Sequence, residues 1–238
     1  MAKFGALWVG RPLSKLEQTS LASFVYHGHE ITLYVYNLDM EIPNGVIKKD
    51  AREILPEDSI FMVDNSYGPF ADMFRYKMIQ DTGLIWTDTD NICLRADWDT
   101  PEYLFGLQGG PHELVAIGIL KIPQGSELLL KIIDESTKFD KDKIVWGEIG
   151  PQLLTQYIHE YNLKHFIRPV RTFYPVNYWE WEQIWKPKYK AMLLDKCKNS
   201  YTLQVWNQMR NRKGLDPNVL PTGSAMEHFY NLYVKGNN

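Results

Sequence analysis

Asp88, Thr89 and Asp90 close a short apolar run, Leu84-Ile85-Trp86. That setting gives the two aspartates a chemistry that a scattered pair would lack. A bend at the end of a buried strand can aim both carboxylates and a backbone carbonyl into one cleft. Hard divalent cations such as Mg²⁺ or Mn²⁺ take oxygen ligands and leave positions for water and substrate phosphate. No His/Cys cluster lies nearby, which argues against zinc. Just upstream, residues 70–79 read as an apolar helix interrupted only by Asp72, Arg75 and Lys77. Asp72 and Arg75 stand three apart and share a helix face. A local ion pair is the plain reading. On an otherwise apolar helix, though, the two charges need further partners, and a polyhydroxyl ligand would supply them.

Two aspartates one residue apart are a cheap pattern, and the chain contains it three times: Asp88/Asp90, Asp97/Asp99 and Asp140/Asp142. The second lies in RADWDTP, a surface loop close enough to the first for a minor role. The third lies in FDKDK, a solvated turn. Other candidates carry less. His27 and His29 flank Gly28 at a helix end, where the helix dipole favours them as a cap. His159 and His165 lack ligand spacing. Neither a G-x-S-x-G elbow nor a phosphate loop is present. Trp179, Trp181 and Trp185 read as packing, with stacking on an acceptor glycan as the alternative.

The elements that must position these residues follow from patterning. Residues 4–9 read as a strand stopped by Gly10-Arg11-Pro12. Ser14 and Glu17 then form a capping box for a helix ending at Gly28. Residues 31–36, rich in β-branched and aromatic side chains, form the next strand. Strand, helix and strand with short connections indicate a parallel βαβ unit. A turn at Pro43-Asn44-Gly45 and a short helix near residues 50–54 precede the aspartate unit. After it, strands are expected at residues 103–108 and 114–122, and a helix from Gly125-Ser126 to Glu135. Further on come a helix from Gly150-Pro151 to Tyr161, one near residues 188–196, a strand at 200–205 and a last helix from Ser224.

Composition sets the outer bounds. The 238 residues are 45% hydrophobic and 23% charged, which suits a single α/β domain with a sizeable core. A net charge of −3 without a basic stripe excludes duplex nucleic acid as the expected partner. Cys93 and Cys197 give no disulfide framework. No apolar stretch reaches transmembrane length, and a cytoplasmic location is expected.

The run A-D-x-x-R-Y at residues 71–76, followed by G-x-I-W-x-D-T-D at 83–90, resembles the signature of DXD-containing retaining glycosyltransferases of the family 32-like type. These include globotriaosylceramide synthases, the yeast initiating mannosyltransferases and the glucosylating domains of clostridial toxins. Lower-specificity likenesses lie at LWVG with Trp8, at Val115-Pro123 with Gly125-Ser126, and at Gly150-Pro151-Gln152-Leu153-Leu154-Thr155. The likeness covers roughly the first two-thirds of the chain, and the C-terminal part departs from the pattern.

The resemblance implies a GT-A fold, a Rossmann-like mixed sheet flanked by helices, across residues 1–238. Residues 1–125 would bind nucleotide-sugar and metal; residues 126–238 would form the acceptor-side and helical part. It implies transfer of a hexose from a UDP- or GDP-sugar, UDP-hexose foremost, to a glycan or other hydroxyl acceptor. A setting in surface or capsular polysaccharide synthesis follows by analogy. Asp72 and Arg75 would hold the donor sugar and phosphates, and Asp90 would bind Mn²⁺ or Mg²⁺. Asp88 would contact the ribose or sugar and support the metal, with Thr89 beside it and Trp8 stacked on uracil. Asn207, Gln204 or water remain the candidates for a third metal ligand. A metal-dependent phosphohydrolase and a non-catalytic sugar-binding protein are the competing readings.

Overall fold

A computed structural model describes residues 1–111 and 113–236. The chain opens with strand β1 (Lys3–Trp8), helix α1 (Lys15–Tyr26) and strand β2 (Glu30–Val35), the expected βαβ unit with β1 and β2 parallel. Ser14 caps α1 and Glu17 completes the reciprocal capping box. Strand β3 (Ile47–Asp50) was not anticipated: three of its four residues, Lys48, Lys49 and Asp50, are charged, which hid an edge strand parallel to β2. The charged side chains suit that position, because an edge has no neighbour to cover it.

Helix α2 (Gly68–Thr82) ends at Gly83, whose φ of 69° is the left-handed C-terminal stop that glycine adopts without strain. Strand β4 (Ile85–Thr87) follows, then β5 (Asn91–Cys93), β6 (Leu104–Leu107) and β7 (Val115–Lys121). Helices α3 (Glu127–Ser136) and α4 (Leu153–Glu160) come next, then strand β8 (Ile167–Arg168) and helices α5 (Val170–Phe173) and α6 (Lys190–Cys197). The chain closes with strand β9 (Thr202–Gln204) and helices α7 (Asn207–Asn211) and α8 (Ala225–Tyr230). The helix expected from Gly150-Pro151 begins later. Gly150 has φ −99° and ψ −106°, so residues 148–152 form a kinked π-type turn and regular helix starts at Leu153.

Seven strands form one mixed sheet in the order β3-β2-β1-β4-β7-β6-β8. The first four of these are parallel neighbours, and β4-β7 and β7-β6 are antiparallel. Helix α1 covers one face together with Phe4, Leu21, Phe24 and Leu33; α2, α3 and α4 cover the other with Phe74, Trp86, Leu129 and Leu154. After β1 the chain steps outward through β2 and β3, then returns to place β4 on the opposite side of β1. In open α/β sheets such a reversal opens a crevice at the carboxyl ends of the two strands. Trp8 ends β1, and Asp88 follows β4. A separate two-stranded sheet, β5 with β9, ties the segment after Asp90 to the C-terminal region.

Candidate functional site

A cavity of about 860 Å³ occupies that crevice. It brings together the residues that the resemblance implied for donor and metal: Trp8, Asp72, Arg75, Asp88, Thr89, Asp90, Gln204 and Asn207 all line it. The Asp97/Asp99 and Asp140/Asp142 triplets do not take part. Asp97 pairs with Arg95, Asp99 with Arg168 and Asp140 with Lys143, all at the surface.

The pair on α2 is buried, with Asp72 5% and Arg75 3% exposed. Arg75 Nη2 lies 2.9 Å from Asp72 Oδ1, and its Nη1 lies 3.3 Å from Asp88 Oδ1. The same guanidinium donates to the Ile117 carbonyl and sits 4.7 Å over the Trp86 ring. The pair is therefore not self-contained. Arg75 links the acid of the helix to the first acid of the triplet. Burial pushes the Asp72 carboxyl up to about 7, with Arg75 opposing and the Asp88 charge adding to the rise. Gly150 makes this placement possible: a Cβ there would stand 2.4 Å from Asp72 Oδ2.

Asp88 is partly exposed and accepts a 2.8 Å hydrogen bond from the Trp86 indole. Its backbone N–H donates to the Gly118 carbonyl, fixing the bend after β4. Asp90 faces the C-terminal segment. Gln204 Nε2 donates to its Oδ1 at 2.6 Å, and the Asn207 backbone N–H to its Oδ2 at 2.8 Å. Burial and the Asp88 charge push Asp90 up to about 7, against those two donors. Trp206 turns the chain into α7 with φ 59°, and this left-handed residue delivers Asn207 to Asp90. A tryptophan in that region carries strain on the order of 1–3 kcal/mol. Its indole, which donates to the Val176 carbonyl at 2.8 Å, helps hold it there.

Three buried amide oxygens here, Gln204 Oε1, Asn207 Oδ1 and Asn91 Oδ1, accept no hydrogen bond from any described residue. Such oxygens are costly unless something meets them. Gly118 marks how closely they gather: a Cβ there would stand 2.9 Å from Gln204 Oε1 and 3.2 Å from Asp88 Oδ2. Among the described residues, no three His, Cys, Asp or Glu side chains converge on a metal position. The donor set is instead two carboxylates with unpaired amide carbonyls, all oxygen, and it fits a hard divalent cation.

The roles of Gly118, Gly150, Asn91 and Trp86 were not read from the sequence. Trp86 passed as core because it belongs to an apolar run, and the two glycines act by lacking a side chain. Of the three loop tryptophans, Trp181 and Trp185 are buried, whereas Trp179 is 53% exposed. His27 caps α1, as expected, and His29 bridges Ala2 N and the Arg95 carbonyl.

Residues 123–233 match the family profile described as "Alpha 1,4-glycosyltransferase conserved region". Over this segment the chain resembles family 32-like glycosyltransferases. The matched segment is the C-terminal part, which the sequence motifs had suggested departs from the pattern, and it contains Gln204 and Asn207. Among solved structures, the chain resembles "PaToxG Glycosyltransferase" at 13% identity and TM-score 0.51, covering 99% of this chain and 86% of that one. That likeness is one of fold, and the mixed sheet with flanking helices is of the GT-A-like kind. The apo-form glycosyltransferase GlyE of Streptococcus pneumoniae TIGR4 is also similar, at 13% identity and TM-score 0.46, over 100% of this chain and 64% of that one. No curated protein matches. Among the described residues, no helix is long and apolar enough to cross a membrane.

Proposed function

We propose that this glycosyltransferase moves a hexose from a UDP- or GDP-sugar to a hydroxyl acceptor, with retention of configuration and with a divalent cation at Asp88–Asp90. The observation that carries the reading is the meeting of two carboxylates with unpaired amide oxygens at the sheet's switch point. Asp88 and Asp90 would hold Mn²⁺ or Mg²⁺ with Asn207 or Gln204. When bound, the cation acts as a Lewis acid on the donor diphosphate.

The chain's own residues do the rest. Arg75, already aimed at Asp72 and Asp88, neutralises charge on the departing phosphate. Asp72 accepts hydrogen bonds from donor hydroxyls and fixes the sugar, a contribution of orientation. Trp8 and the backbone after β1 wall the side of the crevice where the base stacks. Each aspartate of the cleft is already held by donors: Asp72 by Arg75, Asp88 by Trp86 and Arg75, and Asp90 by Gln204 and Asn207. No residue is assigned as a nucleophile, and retention is proposed to follow from same-face attack by the acceptor with the leaving phosphate as base. A glycan acceptor in surface or capsular polysaccharide synthesis, and cytoplasmic action, complete the proposal.

The test is thermal-shift titration with UDP- and GDP-sugars, with and without Mn²⁺. Stabilisation by one nucleotide-sugar that depends on Mn²⁺ is expected. Stabilisation by free glycans alone, without nucleotide or metal, would contradict the reading.

A further inference from the structure

Glu17 performs two tasks, and only one of them belongs to its helix. Its Oε2 accepts from the Ser14 backbone N–H at 2.7 Å and from the Ser14 hydroxyl, closing the capping box of α1. Its Oε1 points the other way and accepts from Asn207 Nδ2 at 3.0 Å, across 190 residues of sequence. The side chain is fully buried. Both Glu17 oxygens act as acceptors here, and the Asn207 amide turns its NH₂ toward Glu17. Its carbonyl oxygen is thereby turned away, and that oxygen is the buried Oδ1 that lacks a partner beside Asp90.

We infer that Glu17 is a positioning residue that fixes which atom Asn207 presents to the cation site. The inference rests on the reading of Asp88–Asp90 as that site. Without Glu17 the amide is free to present its NH₂, which repels a cation. The rest of α1 is built to hold Glu17 still relative to the site. Ser20 Oγ donates to the Asn91 carbonyl at 2.6 Å, and Ser23 Oγ accepts from Cys93 N at 2.7 Å, so the helix is bonded directly to β5 behind Asp90. Partners behind a metal ligand orient it, and losing one typically weakens metal binding by roughly 10–100-fold.

Glu17→Gln isolates this task from the capping one. A glutamine at the third helical position still completes a capping box, with its oxygen toward Ser14 and its NH₂ toward Asn207. The experiment is Mn²⁺ titration followed by electron paramagnetic resonance in the presence of UDP, with thermal unfolding in parallel. E17Q is expected to weaken Mn²⁺ binding by roughly 10-fold or more at nearly unchanged melting temperature. The double variant E17Q/N207D is expected to recover it, because the introduced amide donates to the introduced carboxylate, whose other oxygen faces the cation. Unchanged Mn²⁺ affinity in E17Q, or no recovery in the double variant, would overturn the assignment of Glu17. Failure of the unsubstituted protein to bind Mn²⁺ would overturn the cation site itself and this inference with it.

Discussion

The acids of the cleft form one electrostatic unit. Asp72 and Asp90 are both pushed up to about 7, chiefly by burial and in part by the charge of Asp88 between them. Their reference value is 3.8, so the folded chain binds protons there more tightly than the unfolded chain does. The stability this adds is fully present below pH 3.8 and is lost as pH rises toward about 7. A cation at Asp88–Asp90 binds the ionised form of Asp90 and must displace its proton. Mn²⁺ binding at pH 6 is therefore expected to release protons, with affinity rising until pH passes about 7. Calorimetry in two buffers of different ionisation enthalpy measures the number released; zero would contradict a cation at Asp90. Asp72, Arg75, Asp88 and Asp90 were legible as a site because charges on apolar elements need an explanation. Gln204 stayed one alternative among three because an amide's identity does not say which of its atoms faces the cleft.

At the scale of elements, glycines set how closely the acids approach. Gly150 stands against Asp72, and a Cβ there would meet Asp72 Oδ2 at 2.4 Å and Ile117 Cδ1 at 2.6 Å. Gly150→Ala is expected to cost about 1–3 kcal/mol by overpacking and to weaken donor binding, read by urea unfolding and donor titration. Unchanged values in both would show that the kinked turn has slack. The cap of α1 makes a separate prediction. Ser14→Ala is expected to cost about 1 kcal/mol in the same unfolding assay, and a change within a few tenths would contradict it. The capping box, the Gly83 stop and the strand before Asp88 could be read locally, since each depends on neighbours in sequence. Strand β3 and the late start of α4 could not. The first is set by its partner β2, and the second by the packing of Gly150 under α2.

Over the whole molecule, the site is assembled from both ends of the chain. The switch between β1 and β4 opens the crevice, while the β5–β9 sheet and the turn at Trp206 bring Gln204 and Asn207 to Asp90. The division into a donor-binding part at residues 1–125 and an acceptor part at 126–238 remains a proposal. Asp90 already takes its hydrogen bonds from beyond that boundary. Local pattern carried the βαβ start; the contacts of Asp90 span 114 and 117 residues and left no trace in local spacing. The central claim is that one of three D-x-D triplets holds a catalytic cation, and donor hydrolysis with added Mn²⁺ tests it most directly. A Lewis acid on the leaving group contributes several kcal/mol, so Asp90→Ala is expected to lower Mn²⁺-dependent turnover by roughly 10³-fold or more. Asp142→Ala, in the surface triplet, is expected to leave it unchanged. Turnover in the Asp90 variant equal to that of the unsubstituted enzyme would contradict the account.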